Sequence, residues 1–171
     1  MTRPGGDDAL ARFNDAPQAE AAAQAFGWLG APAFAMVLTA GRPYPSVGAL
    51  ATRAAELTRA LSWGHVQAAL DAHPRIGDRV EGSSASAEAS RREQSGMTGA
   101  DDEVRTAIAE GNRAYEERFG HVFLVRAAGR SPEEMRRELE RRLGNTPEAE
   151  KAEVQAQLVE ITALRVREAM R

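Results

Sequence analysis

At 171 residues, with 43% hydrophobic and 27% charged side chains and few aromatics (5%), the chain has the make-up of one globular domain able to bury a core unaided. Its 22 Lys and Arg against 25 Asp and Glu leave a net charge of −3, which argues against nucleic acid as a partner, since phosphate binding needs a basic surface. Cysteine is absent, which removes disulfides and thiolate chemistry, and no apolar run approaches the roughly 20 residues of a membrane helix.

Ala, Leu, Glu and Arg are abundant and favour helix. Pro17 is expected to open a helix running to about Gly27. APAFAMVLTAGRPYP reads as a second helix, closed by Gly41 with Pro43 and Pro45 behind it. Ser46 caps an amphipathic segment through Leu61, and Ser62 caps the next, WGHVQAALDAH, which must stop near His73. Residues 81–100 are rich in Ser, Ala and Gly, with a short helical candidate around EASRREQSG. A longer helix is expected from about Asp101 to Arg118. HVFLV, residues 121–125, has strand character but is too short to be told from a buried extended or helical piece by its period.

The last third is the most clearly punctuated. Ser131 is an N-cap, Pro132 sits at the first helical position, Glu134 closes a capping box and Gly144 ends the helix. Thr146-Pro147-Glu148 opens the C-terminal helix by the same grammar. The expected fold class is all-α: a single-domain bundle of about seven to nine helices over residues 1–171, its core over about 10–170. With no apolar run after MTRPGGDD and no peroxisomal tripeptide at Ala169-Met170-Arg171, a cytoplasmic protein is expected. The arginine excess (Lys151 is the single lysine) is read as the mark of a GC-rich, bacterial genome.

Three features stand out as candidate chemistry. Trp63, Val66, Leu70 and His73 fall on one helical stripe, which turns His73 inward and leaves His65 off it. Pro74 disfavours helix at His73, so the imidazole lies at a helix C-terminus, where the dipole favours its charged form and proton transfer near neutral pH is feasible. The competing reading is a partly buried histidine before a turn. In SRREQSG, helical geometry puts Ser90, Glu93 and Gln94 on one face, with Arg91 and Arg92 turned away; alternatively Ser-x-x-Glu is simply a capping box at a helix start. On the last helix Val154, Leu158 and Ile161 form an apolar stripe whose next member is Arg165. A guanidinium there needs an anionic or carbonyl-rich partner, unless its stem packs while its head snorkels to solvent.

Other patterns carry less. His65, His73 and His121 have no zinc spacing, and no metal site is expected. Neither GxGxxG nor GxxxxGK[ST] nor GxSxG occurs. Asp7-Asp8 and Asp101-Asp102 read as helix N-terminal charges or solvated loop residues.

Taken together, the residues resemble the 2-oxo-4-hydroxy-4-carboxy-5-ureidoimidazoline (OHCU) decarboxylase family of urate degradation. The resemblance rests on His73-Pro74-Arg75-Ile76-Gly77, on Ser90 with Glu93-Gln94 and Gly96, and on Phe119-Gly120-His121-Val122-Phe123-Leu124. It extends to Arg42-Pro43-Tyr44 and the arginine-rich end. Family members often carry FGFPF where this chain has FGHVF. The resemblance implies an all-helical, cofactor-free carboxy-lyase, usually a homodimer, that decarboxylates OHCU to (S)-allantoin. It makes His73 the acid/base and Glu93 its partner. Pro74, Ser90, Gln94 and Arg165 would line the site, with backbone amides near Leu124 and Val125 also binding substrate. A non-catalytic helical module of the same fold, or a decarboxylase of a related ureido or imidazoline carboxylate, are the alternatives.

Overall fold

The structure, a computed structural model, describes residues 5–171, with side chains from Asp8 onward. Among the described residues there are nine α-helices, one 3₁₀ helix and no strand, the all-α class expected. The chain packs as two compact units, one formed by the residues up to Val66 with Leu158–Arg171, the other by Gln67–Gln157.

The first unit contains α1 (Gly5–Asp15), α2 (Gln18–Leu29), α3 (Pro32–Ala40), α4 (Val47–Arg59) and the last part of α9 (Pro147–Ala169). Helix α1 lies ahead of the first helix expected from sequence. Leu10 and Phe13 are its buried anchors, too few to make a legible stripe. Asp8 is exposed in its first turn, whereas the Asp7 side chain lies outside the described residues. Pro17 is the N-cap of α2 rather than its first residue, and α2 runs on to a left-handed Gly30 at φ 83°. Ser46 caps α4 as expected, its Oγ accepting the Ala49 N–H at 3.0 Å. Arg42-Pro43-Tyr44 has a structural task here. Arg42 donates to the carbonyls of Phe13 (2.7 Å) and Ala16 (2.8 Å), and Asn14 exchanges two hydrogen bonds with the Tyr44 backbone. The Arg42 bonds satisfy carbonyls left open at the end of α1, and the Asn14 pair ties that end to the segment ahead of α4.

The second unit carries α5 (Trp63–Asp71, of which residues from Gln67 belong here), α6 (Ala85–Glu93), a 3₁₀ helix (Ser95–Gly99), α7 (Asp102–Phe119), α8 (Pro132–Leu143) and the first part of α9. Asp101 caps α7 through its Oδ1, and Ser131 with Glu134 forms the full capping box of α8. Ile76, Met97, Ile108, Tyr115, Phe123, Val125, Met135 and Leu139 form one apolar core between α7, α8 and the loops. Residues 121–127 settle as irregular extended chain, neither helix nor sheet. Side chains take the place of a neighbouring strand there. Arg142 donates to the Leu124 carbonyl at 2.6 Å, and the Arg126 N–H donates to Gln157 at 2.8 Å.

Candidate active site

The site starts where α5 stops. Its regular turns end at Asp71, two residues before the expected stop, because the last N–H groups shift to i→i+3 bonds. Ala72 N–H donates to Ala69 O and His73 N–H to Leu70 O at 2.9 Å. Pro74 has no N–H to continue the ladder. His73 is buried at 9% exposure, on the inward side its stripe predicts, while His65 is exposed. The Nδ1 of His73 lies 2.8 Å from the Ala69 carbonyl. A carbonyl only accepts, so the bond assigns the proton to Nδ1 and leaves Nε2 as the basic nitrogen of the neutral ring.

The loop after Pro74 is held from three sides. Arg75 forks onto Glu116 of α7, at 2.5 and 2.9 Å. Asn112 donates to the Ile76 carbonyl at 2.9 Å. Gln94 accepts the Gly77 N–H at 3.1 Å and donates to the Arg75 carbonyl at 3.3 Å. Gly77 sits at φ 88°, a left-handed turn that disfavours any side chain. The Arg75 guanidinium holds the Glu116 carboxyl below the usual carboxylate range, chiefly through this hydrogen bond.

Ser90 is buried at 3% exposure on α6. The cap of that helix is Ser84, whose Oγ accepts the Ala87 N–H at 3.1 Å. Ser90-x-x-Glu93 therefore lies at the end of a helix, and the capping-box alternative is wrong. Arg91 turns away as expected, onto the carbonyls of Val80 and Gly82.

His73, Pro74 and Ser90 meet on one cavity of about 460 Å³, whose wall also includes Asp71, Arg79 and Glu81. Glu93 and Gln94, both half-buried, do not line it; Gln94 borders a second cavity of about 750 Å³ beside Gly77. Leu124 and Val125 lie in the extended segment, at 5% and 2% exposure. Arg165 belongs to the other unit and is 4% exposed, so its head does not snorkel to solvent. His121 packs its ring against Tyr115 and Phe119. Among the described residues no group of three or more His, Asp and Glu is arranged to hold a metal ion.

Sequence reasoning passed over Arg142. It occupies the stripe of Met135 and Leu139, fully buried, with its guanidinium on the Glu150 carboxylate. The rule that singled out Arg165, a cation on an apolar stripe, would have found it too. Arg79 and Glu81 had no such signal, since a charged loop residue carries no period.

The OHCU decarboxylase family model matches residues 14–167, almost the whole chain. The chain belongs to the OHCU decarboxylase family. The fold agrees with a crystal structure of OHCU decarboxylase in the presence of (S)-allantoin, at 24% identity and a TM-score of 0.73, covering 84% of this chain and 94% of that one. It agrees also with a crystal structure of (S)-allantoin synthase, at 17% identity and a TM-score of 0.70, covering 94% of this chain. This member of the OHCU decarboxylase family spans about half, 53%, of that second protein. Curated protein sequences yield no match.

Proposed function

We infer that this protein is an OHCU decarboxylase, a carboxy-lyase of urate degradation that converts OHCU to (S)-allantoin and CO₂. The observation that carries the reading lies inside the family match: an inward imidazole with one tautomer selected, facing a cavity beside a buried serine hydroxyl. Breaking the bond to the carboxylate leaves an electron pair on the ring carbon, which the adjacent C=N system can take up. The ring nitrogen that receives the pair takes a proton from solvent, the 4-hydroxyl gives up its proton as it becomes the carbonyl, the adjacent ring carbon gains one, and the face of delivery sets the (S) configuration. The chemistry asks the protein for proton handling and for donors around a polar ring.

Nε2 of His73 is the group that accepts and returns the proton, with Glu93 as its partner carboxylate. Ser90 and Pro74 shape the cavity wall around the ring. Amides at Leu124 and Val125 supply further donors for the carbonyl and ureido groups, and Arg165 is read from the family resemblance as a substrate-binding guanidinium. Gln94 has both amide ends on the loop backbone, which supports a role in holding His73 in register as well as any contact with substrate. The enzyme works without a cofactor, as a cytoplasmic homodimer.

The test generates OHCU in situ from urate with the two upstream enzymes and follows (S)-allantoin by circular dichroism. Accelerated appearance of the (S) signal over the spontaneous reaction is expected. A racemising background rate unchanged by the protein would sink the reading.

A further inference from the structure

Arginines crowd the loop between α5 and α6, and most of them are already tied. Arg75 is forked onto Glu116. Arg91 holds the carbonyls of Val80 and Gly82, and Arg105 those of Met97, Thr98 and Ala100. Arg79 differs from all three. It is exposed, and among the described residues its guanidinium enters no hydrogen bond or ion pair. It also borders both the 460 Å³ cavity of His73 and Ser90 and the 750 Å³ cavity on the Gly77 side of the loop.

The charge of the His73 cavity makes that position consequential. Asp71 and Glu81 line it, and Arg79 is the single arginine or lysine on its wall. A substrate that enters as a carboxylate meets two like charges at the rim. Like charges in a partly wet cleft deter an anion unless a cation offsets them. We propose that Arg79 is the docking guanidinium for the substrate's carboxylate, a specificity residue that selects a carboxylated imidazoline over its decarboxylated product. The proposal rests on the decarboxylase reading above and deepens it.

A cation that grips the carboxylate acts on the ground state. As CO₂ leaves, negative charge moves off the carboxylate and into the ring, so the contact is no stronger in the transition state than in the bound substrate. Its loss is therefore read in KM rather than kcat. The product keeps the ring and the ureido arm but lacks the carboxylate, so its affinity reports contacts that Arg79 does not make.

Steady-state kinetics on the full chain, with OHCU generated in situ and (S)-allantoin as a product inhibitor, test this. For Arg79→Ala a KM raised by about threefold to fivefold is expected, as for a partly exposed ion pair, with kcat kept and the Ki of allantoin unchanged. Arg79→Lys restores most of the loss, and Arg79→Glu raises KM by about tenfold or more. The ionic-strength dependence of kcat/KM flattens in Arg79→Ala. Active wild-type protein whose KM does not respond to Arg79→Ala, or whose KM and allantoin Ki rise together, overturns the assignment alone. Inactive wild-type protein overturns it together with the decarboxylase reading.

Discussion

A histidine before a proline does chemistry only if its ring is aimed and its tautomer chosen, and His73 has both from the backbone of its own helix. The Ala69 carbonyl, which also accepts the Ala72 N–H of the tightened last turn, holds Nδ1 at 2.8 Å. His73→Gln keeps much of the volume but supplies no base. A kcat lower by about 10²- to 10⁴-fold is expected, with the far-ultraviolet circular dichroism spectrum unchanged; retention of full activity would remove His73 from the mechanism. The residues that brace its loop titrate separately. Because the folded Glu116 carboxyl sits below its ordinary value of 4.5, the stabilisation from Arg75 is fully present above that value and is lost as pH falls through the depressed one. Arg75 is half exposed, so the pair contributes only about 0.5 kcal/mol. Urea unfolding of Glu116→Gln should show that deficit at pH 7, and the deficit should shrink as pH falls below 4.5 and disappear once the depressed carboxyl is itself protonated.

At the scale of elements, the punctuation was far more legible than the gaps between it. Ser46, Asp101 and the Ser131–Glu134 box stand as caps where their residue types say they should, because a cap is a local bond across three residues. Ser90-x-x-Glu93 has the same local pattern and does not cap, since Ser84 reaches the helix start first. Helix α1 and the extended 121–127 chain were illegible for another reason. One has two anchors, and the other is held by Arg142 and Gln157 from distant helices. The site was legible as types, His73 and Ser90 above all, but Arg79 and Glu81 enter it through a loop path that no period encodes. Gly96, part of the family string, now has a packing reason. A Cβ there would lie 2.7 Å from the Arg130 carbonyl, a backbone atom that cannot swing aside. Gly96→Ala should destabilise by about 1–3 kcal/mol, as overpacking does, seen as a lowered urea midpoint. An unchanged midpoint would mean that the 3₁₀ helix slides without cost.

At the largest scale, the second unit turns on one buried ion pair. Glu150 of α9 receives Arg142 of α8 through both Nε (2.8 Å) and Nη2 (2.5 Å), the Tyr115 hydroxyl of α7, and Asn145 on its other oxygen at 2.9 Å. Burial, and then the bond to Glu150, push the Tyr115 phenol well above its usual value, so it stays a donor across the whole working range. Arg142 in turn holds the Leu124 carbonyl at 2.6 Å and lies over the Phe123 ring, 4.8 Å from its centroid. Three helices and the extended segment are thus fixed through two side chains with no exposed surface. Such a pair need not outdo a packed apolar core, but it is severe to break from one side, because the surviving charge is stranded. Arg142→Met should cost about 3–5 kcal/mol and loosen the Leu124–Val125 backbone, raising KM in the variant that still folds. Adding Glu150→Gln removes the stranded carboxylate while keeping an acceptor for Tyr115, so the double variant should be more stable than Arg142→Met alone. Urea unfolding of the two singles and the double decides it. Strict additivity of the two losses would mean that the charges are not coupled and that packing around Phe123 and Tyr115, rather than the ion pair, fixes the segment.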